Sequence, residues 1–335
     1  MFIATMPIKL KLKTLKQSIM FHIHYKIQNE ITQSTDIKIL KRVNHSDVLW
    51  IDLNNPTGEE KHEIEAFLGT EIQSRAQAEE IESTSRFFET TDAIFANTNF
   101  LISQPESFIY DTVSFTLCKD ILITLHNSNL RTLTETSKKL QREPQLLPTG
   151  FHIMIAILEQ RIDLDADMIE SVAKEIAHLS KQTSLGKKVN EEQLLYINQM
   201  QENTMLIREN IIDKQRVLSS ILRSNRFPSD LYQKLNFMIK DINSLINHTD
   251  FSFERLEYLQ NTLLGLINIE QNKIIKIFTV ATVIFAPPTL IASIYGMNFR
   301  FMPEFNWEFG YPLALFSMVF LTAVILWYFK KRKWL

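Results

Sequence analysis

The sequence predicts an α+β domain over residues 20–150, followed by long helices and by two transmembrane helices at the C-terminal end of the 335 residues. Three observations support this fold class. Short strand-like runs with turn signals fill residues 20–150, a helical spacing of apolar residues follows, and two apolar runs nearly free of charge close the chain. Each apolar run has about 20 residues, the helical length that crosses a hydrocarbon core of roughly 30 Å.

Composition and charge exclude several classes of protein. The 36 Lys and Arg residues nearly balance the 38 Asp and Glu residues, and the net charge of −2 argues against nucleic acid as a partner. The single cysteine, Cys118, excludes a disulfide framework and a cysteine cluster for zinc. Residues 1–19 form an N-terminal extension without the apolar core of a signal peptide, and the native start is either Met1 or Met20.

Residues 20–150 predict a cytoplasmic α/β domain. Alternating apolar residues and turn signals predict strands at 21–27, 48–53, 86–89, 93–103, 107–118 and 121–126. Helices are predicted at 57–68, 71–83 and 130–141. Thr57 and Glu60 form a capping box at the start of the first helix, and Gly69 ends it. Lys119-Asp120 predicts a hairpin turn between the last two strands.

The next part of the chain predicts helices alone. Residues 151–227 predict an antiparallel helix pair, broken at Ser184-Leu185-Gly186. Residues 228–294 predict a stalk helix of about 65 residues that has Pro228 in its first turn and continues into the first transmembrane helix.

The C-terminal end predicts a transmembrane hairpin. After the first span come a periplasmic loop, a second transmembrane helix and a basic cytoplasmic tail, at residues 295–310, 311–329 and 330–335. Lys273 and Lys276 flank the other end of the hairpin. The positive-inside tendency therefore places both termini in the cytoplasm and the loop outside.

A stripe of small and polar residues runs along the stalk and the first span. Its members follow one another at alternating spacings of four and three residues: Asn261, Gly265, Asn268, Asn272, Ile275, Thr279, Thr282, Ala286, Thr289 and Ser293. This 3.5-residue period keeps one seam facing a partner along a helical bundle. The seam either faces a water-filled axis in a ring of helices, since polar side chains are costly in lipid, or lets small residues pack closely against a neighbouring helix.

Two further groups of polar residues have alternative interpretations. His22 and His24 lie two residues apart on one strand face. They are interpreted either as a metal-binding pair or as exposed strand residues. Five carboxylates lie on one predicted helix and are interpreted as a solvated face: Asp163, Asp165, Asp167, Glu170 and Glu175.

The loop after the first span resembles the CorA family of magnesium transport proteins. The matching residues are Tyr295-Gly296-Met297-Asn298-Phe299 and Met302-Pro303-Glu304-Phe305. Gly-Met-Asn alone is a weak signal, but it is specific at the outer end of the first of two C-terminal spans. The resemblance is close over residues 268–335 and extends more faintly to Glu79-Glu80-Ile81.

The resemblance implies a funnel-shaped homopentamer that carries Mg²⁺ into the cell across the inner membrane, with Co²⁺ and Ni²⁺ as further substrates. It implies that the hydrated ion is captured by Gly296, Met297 and Asn298, with Glu304 as the acidic loop residue. The implied pore positions are Asn272, Ile275, Phe278, Thr282, Ala286 and Thr289. They differ from the stripe at Phe278, where the stripe has Thr279.

The resemblance also implies regulation by intracellular Mg²⁺. The ion would bind between Glu80, beside Glu79, and the stalk of a neighbouring subunit. The aligned stalk position is Phe237, and Asp241, one helical turn later, could replace the missing carboxylate. The implied partners are copies of the chain itself, the lipid bilayer and hydrated divalent cations.

Two alternative functions differ from magnesium transport. A zinc transporter could use the same scaffold. The other alternative is a membrane-anchored enzyme, but residues 20–150 contain no nucleophile–base set, no glycine-rich phosphate loop and no metal-ligand spacing. The sequence therefore favours a transporter over an enzyme.

Overall fold

The computed structural model describes residues 20–28, 30–74, 77, 86–104, 107–184, 191–300 and 302–332. The chain divides into two units. The first takes the described residues of Met1–Lys181 and Leu195–Leu256, and the second takes those of Gln182–Leu194 and Glu257–Leu335.

Among the described residues, seven strands of the first unit form one sheet. They are β1 (Met20–Ile27), β2 (Glu30–Ser34), β3 (Val48–Asn54), β4 (Phe87–Glu89), β5 (Ala93–Ser103), β6 (Phe108–Cys118) and β7 (Ile121–His126). Their order is β2-β1-β3-β7-β6-β5-β4, with β3 and β7 parallel and the other neighbours antiparallel. Strand β2 was not predicted, because Ile31 is its one apolar residue and the strand lies at a sheet edge.

The described helices are α1 (Gly58–Leu68), α2 (Arg131–Arg142), α3 (Gly150–Ser184), α4 (Glu191–Arg223), α5 (Leu231–Tyr295) and α6 (Gly310–Lys331). The predicted capping box begins α1: the Thr57 hydroxyl accepts from the Glu60 N–H at 3.3 Å, and the Glu60 carboxylate accepts from the Thr57 N–H at 2.7 Å. Gly69 ends the helix in the left-handed region, with φ of 70°.

Two sequence predictions about helices need correction. The helix predicted at 71–83 is wrong for residues 71–74, which are not helical; Gln77 is helical, and the other predicted residues lie outside the described residues. Pro228 precedes α5 instead of lying in its first turn, since α5 begins at Leu231. The Leu231 N–H donates to the Pro228 carbonyl at 3.1 Å, so a separate turn leads into the helix.

The sheet has helices on both faces. Ile64 and Leu68 of α1 belong to a buried cluster with Ile23, Ile51 and Leu53 of the sheet. On the other face, α2 and the sheet line a polar cavity of about 310 Å³. Burial of apolar side chains, as in the cluster that α1 forms with the sheet, is the main contribution to the stability of such a layered domain.

The β6–β7 hairpin positions the start of α3. Lys119 and Asp120 have φ of 49° and 67°, which confirms the predicted hairpin turn. The Gly150 N–H donates to the Asp120 carbonyl at 2.7 Å. A Cβ at Gly150 would lie 2.5 Å from the Leu122 backbone nitrogen, so this close approach requires glycine.

A buried ion cluster joins α3, α4 and the sheet. Asp165 is fully buried and binds Lys214 at 3.0 Å, Asn210 at 3.2 Å and the Arg161 guanidinium. Arg161 also donates to the Leu101 carbonyl of β5 at 2.8 Å. The interpretation of Asp165 as part of a solvated helix face is therefore wrong, because α4 and β5 cover it.

In the second unit, a 3₁₀ helix at Pro303–Asn306 lies between α5 and α6. In the part of the chain that the structure describes, α5 and α6 are the two helices long and apolar enough to cross a membrane. Only 6% of the apolar stretch in each is buried within the chain. The core helix of a soluble protein would be mostly buried, so this exposure fits helices that lie in lipid or against other subunits.

Candidate ion pathway

All ten residues of the polar stripe on α5 are exposed in the single chain. Phe278, which the family resemblance adds to the pore, is 70% exposed, so this position is also on the surface. The opposite side of the helix differs, since Val280 is 7% exposed and Ile284 is half-buried. The stripe is therefore a surface that the single chain leaves uncovered.

The threonines of the stripe have a specific hydrogen-bond pattern. The hydroxyls of Thr279, Thr282 and Thr289 donate to the carbonyls four residues earlier, at 2.8, 2.9 and 2.8 Å. A hydroxyl that donates in this way uses its single hydrogen and keeps its lone pairs as acceptors. Each threonine therefore presents an acceptor oxygen, suited to a cation or to the hydrogens of its bound water.

Two prolines lie within α5, and the helix continues through them. Pro287 and Pro288 have no N–H, so the carbonyls of Val283 and Ile284 lack their usual helical donors. Such carbonyls in a membrane helix are tolerated where water or a neighbouring helix supplies a donor.

The predicted ion-capture loop begins where α5 ends. The Gly296 N–H donates to the Ala292 carbonyl at 2.9 Å, and the Met297 N–H donates to the Ile294 carbonyl at 3.2 Å. Asn298 follows directly and is exposed. The stripe therefore leads along α5 to the Gly296-Met297-Asn298 segment, and Glu304 lies beyond it in the 3₁₀ helix.

The C-terminal end of α5 and the N-terminal end of α6 meet at an apolar cavity of about 450 Å³. Tyr295 and Gly296 of the α5 end line it together with Trp307, Glu308 and Tyr311. This cavity shows that the ends of α5 and α6 lie side by side in the second unit.

The regulatory candidates are only partly described. Glu79 and Glu80 lie outside the described residues. Asp241 and Phe237 line a cavity of about 400 Å³ in the first unit, together with Asp163. Burial raises the pKa of Asp163, and the nearby charges of Glu159, Asp167 and Asp241 raise it further. Within the described residues, no three His, Cys, Asp or Glu side chains are placed to hold a metal ion.

A buried polar group was not predicted from the sequence. His24 is fully buried and stacks on Trp50, with 4.7 Å between ring centroids, so its interpretation as an exposed strand residue is wrong. Asp52 accepts from the Thr124 hydroxyl and contacts His126 at 3.0 Å. The sequence held no signal for this group, because its members come from three separate strands.

Comparison with known protein families identifies the family of the chain. A sequence model of the family described as "CorA-like Mg2+ transporter protein" matches residues 45–331. The chain belongs to this CorA-like family. The match includes both transmembrane helices and the Gly296-Met297-Asn298 segment, so it confirms the resemblance inferred from the loop.

Two relatives and one solved structure agree with this assignment. The magnesium transport protein CorA of Wolinella succinogenes is 41% identical over 296 residues, which cover 87% of this chain and 92% of that protein. The magnesium transport protein CorA of Campylobacter jejuni is 35% identical over 329 residues, covering 94% and 100%. The complete CorA magnesium transporter structure from Methanocaldococcus jannaschii has a TM-score of 0.78 at 19% identity and covers 95% of this chain and 99% of that one.

These comparisons confirm the fold class: an α+β domain, long helices and two C-terminal transmembrane helices. CorA-like proteins are membrane transporters and not enzymes. The alternative of a membrane-anchored enzyme is therefore set aside.

Proposed function

We propose that the chain forms a homopentameric channel that conducts Mg²⁺ into the cell down the membrane potential. The observation that carries this proposal is the exposed polar stripe of α5, which leads to the Gly296-Met297-Asn298 segment in a chain of the CorA-like family. Co²⁺ and Ni²⁺ are proposed as further substrates. The protein lies in the inner membrane with both termini in the cytoplasm.

The surface of α5 supports self-assembly. Large apolar side chains such as Phe285 and Leu290 are 67% and 62% exposed and are suited to lipid or to another subunit. Thr282 and Thr289 are exposed on the same helix, where lipid would solvate their acceptor oxygens poorly. In a ring of subunits the stripe would face a water-filled axis, and Phe285 and Leu290, which flank the stripe, would contact the neighbouring subunits.

Mg²⁺ releases its water reluctantly, so the mouth of the pore should recognise the hydrated ion through its waters. Five Asn298 amide oxygens can accept hydrogen bonds from these waters. Neutral acceptors bind more weakly than five carboxylates would, so the ion can leave again. A membrane potential of 100 mV favours entry of a divalent ion by roughly 4.6 kcal/mol, so no ATP is required.

The deciding experiment measures ion uptake into vesicles that contain the purified protein and a Mg²⁺-sensitive dye. We expect uptake that grows with an inside-negative potential and competition by Co²⁺ and Ni²⁺. Asn298→Ala should abolish uptake while the pentamer stays assembled, because the substitution removes acceptors and no packing. Asn306→Ala is the matched control, an exposed asparagine of the same outer segment.

Two results would contradict this proposal. Normal uptake by an assembled Asn298→Ala protein would exclude Asn298 as the capture residue. Uptake of Zn²⁺ in strong preference to Mg²⁺ would favour the zinc alternative.

The lining of the pore can be tested by cysteine substitution. In a Cys118→Ser background, cysteine at Thr282 or Thr289 should react with water-soluble thiol reagents and block uptake. Cysteine at Val280 or Ile284 should not, since these side chains face the less exposed side of α5. Equal labelling on both sides would contradict a single water-facing stripe.

Intracellular Mg²⁺ is proposed to close the channel by binding between subunits. The proposed ligands are Glu79 and Glu80 of one subunit and Asp241 of its neighbour. Asp241 lies beside Asp163, whose pKa is raised first by burial and then by the nearby negative charges of Glu159, Asp167 and Asp241. A divalent cation would relieve this repulsion and hold the subunits together.

Limited proteolysis tests this regulation. Millimolar Mg²⁺ should protect the cytoplasmic part from protease, and Glu79→Ala with Glu80→Ala should weaken the protection. Full protection in this variant would place the sensor elsewhere. Asp163→Asn with Asp241→Asn then tests the carboxylates of the cavity.

A further inference from the structure

Five cations lie at the inner ends of the two transmembrane helices. They are Lys273 and Lys276 of α5, Lys330 and Lys331 of α6, and Arg332, all exposed. Among the described residues, none of the five forms an ion pair with a carboxylate. The dipole of α6 offers about half a negative charge at its C-terminal end. The chain itself therefore leaves most of this positive charge unbalanced.

The positions of Lys276 and Lys330 along the helices place these two cations at one depth, and the other three lie within one helical turn of them. Tyr295 and Tyr311 both line the cavity at the outer end of the hairpin, so they lie at one level. Lys276 is 19 residues from Tyr295 along α5, and Lys330 is 19 residues from Tyr311 along α6. At 1.5 Å per residue each distance is about 28 Å, close to the hydrocarbon thickness of roughly 30 Å. Both lysines therefore reach the inner headgroup layer.

Two of the cations are held over aromatic rings. The Lys331 ammonium lies 5.1 Å from the Trp327 ring centroid, and the Arg332 guanidinium lies 6.0 Å from that of Tyr328. The two rings are 63% and 51% exposed, as expected for an aromatic belt at a membrane surface. A cation over a ring keeps its N–H donors free, and several donors suit the oxygens of a phosphate.

We propose that these five residues, the inner basic cluster, bind the headgroups of anionic phospholipids. The cluster has the required charge, lies at headgroup depth and carries donors that no described carboxylate occupies. Trp327 and Tyr328 hold two of the donors at the level where the acyl chains end. A preference for anionic lipid over zwitterionic lipid follows, since about 1 kcal/mol per surface cation corresponds to a ratio of roughly five.

The test uses quenching of Trp327 fluorescence by brominated lipid in the full chain. Trp307→Phe and Trp334→Phe leave Trp50 and Trp327 of the four tryptophans, and Trp50 is fully buried and out of reach of lipid. The protein is placed in vesicles of phosphatidylcholine and phosphatidylglycerol, with one or the other brominated. We expect phosphatidylglycerol to be preferred next to Trp327 by about fivefold or more.

Variants separate specific binding from the alternatives. Lys331→Gln with Arg332→Gln should lower the preference by about fivefold or more, whereas Lys331→Arg with Arg332→Lys should keep it. Arg300→Gln, a cation of the outer segment, should have no effect. Equal quenching by both lipids in the starting protein, or an unchanged preference in the glutamine variant, overturns the proposal. Loss of the preference in millimolar inorganic phosphate also overturns it, because the ligand would then be free phosphate.

Discussion

Replacing Asp165 by asparagine should strongly destabilise the first unit. The substitution keeps the shape of the side chain but removes the negative charge between two buried cations, Arg161 and Lys214. Leaving a buried charge without its partner costs about 3–5 kcal/mol. In a unit of this size each kcal/mol lowers the melting temperature by about 2–4 °C, so we expect a decrease of about 10 °C.

The assay is thermal unfolding of the full chain, followed by fluorescence of Trp50, which is fully buried in the sheet of the same unit. Asp167→Asn is the matched control, because Asp167 lies two residues further along α3 and is exposed. The Asp167→Asn protein should have a melting temperature close to that of the starting protein. A melting temperature of Asp165→Asn within 2 °C of the control, on the scale of about 2–4 °C per kcal/mol, would refute the reasoning.

The pH dependence gives a second check on the same cluster. Burial lowers the pKa of Lys214 to about 8, although the Asp165 charge raises it. Removing that charge lowers the pKa of Lys214 further, so the lysine of the variant is neutral over a wider range of pH. In the unfolded chain Lys214 keeps its proton up to about pH 10.5. Stability therefore rises with pH between the pKa of Lys214 in the folded chain and about pH 10.5. The destabilisation by Asp165→Asn should therefore be smaller at pH 9 than at pH 7.

Three further predictions concern single residues. Burial lowers the pKa of His24 from 6.5 to about 4. As the pH falls, this histidine is therefore protonated in the unfolded chain before it is protonated in the folded chain. The free energy of unfolding should fall by up to about 3 kcal/mol from pH 6.5 to pH 4. His24→Phe, which can still stack on Trp50, should reduce that slope in thermal melts. Gly150→Ala should cost about 1–3 kcal/mol in thermal unfolding because its Cβ would clash with backbone, whereas Gly58→Ala, with nothing within 4 Å, should not. Thr282→Val should lower Mg²⁺ uptake by removing an acceptor oxygen, and Thr282→Ser should retain it.

Local patterns made much of the fold predictable. The capping box at Thr57, the hairpin turn at Lys119-Asp120 and the two apolar runs each depend on residues close together in sequence. The loop from Tyr295 to Phe299 identified the family for the same reason, since its spacing from the spans is local. In each case the physical cause lies within a few turns of chain.

Burial of polar residues was not predictable, because it depends on elements that are distant in sequence. Asp165 lies only two residues from the exposed Asp167 on the same helix, and contacts with α4 and β5 make it a buried ion. His24 alternates along β1 like an exposed strand residue, and it is buried by Trp50 and by the packing of this sheet face. A single sequence contains the residues of such clusters but not the contacts between them.

In the proposed pathway, neutral oxygens lie where the ion passes and charges lie at the two ends. Neutral acceptors such as Thr282 and Asn298 would bind a hydrated ion weakly enough to release it. The lysines at the inner end would oppose the exit of a cation into the cytoplasm if their charge were unbalanced. Anionic headgroups bound to the inner basic cluster would reduce that opposition. Mg²⁺ uptake should therefore be faster in vesicles that contain phosphatidylglycerol than in pure phosphatidylcholine, and Lys331→Gln with Arg332→Gln should make the two rates similar.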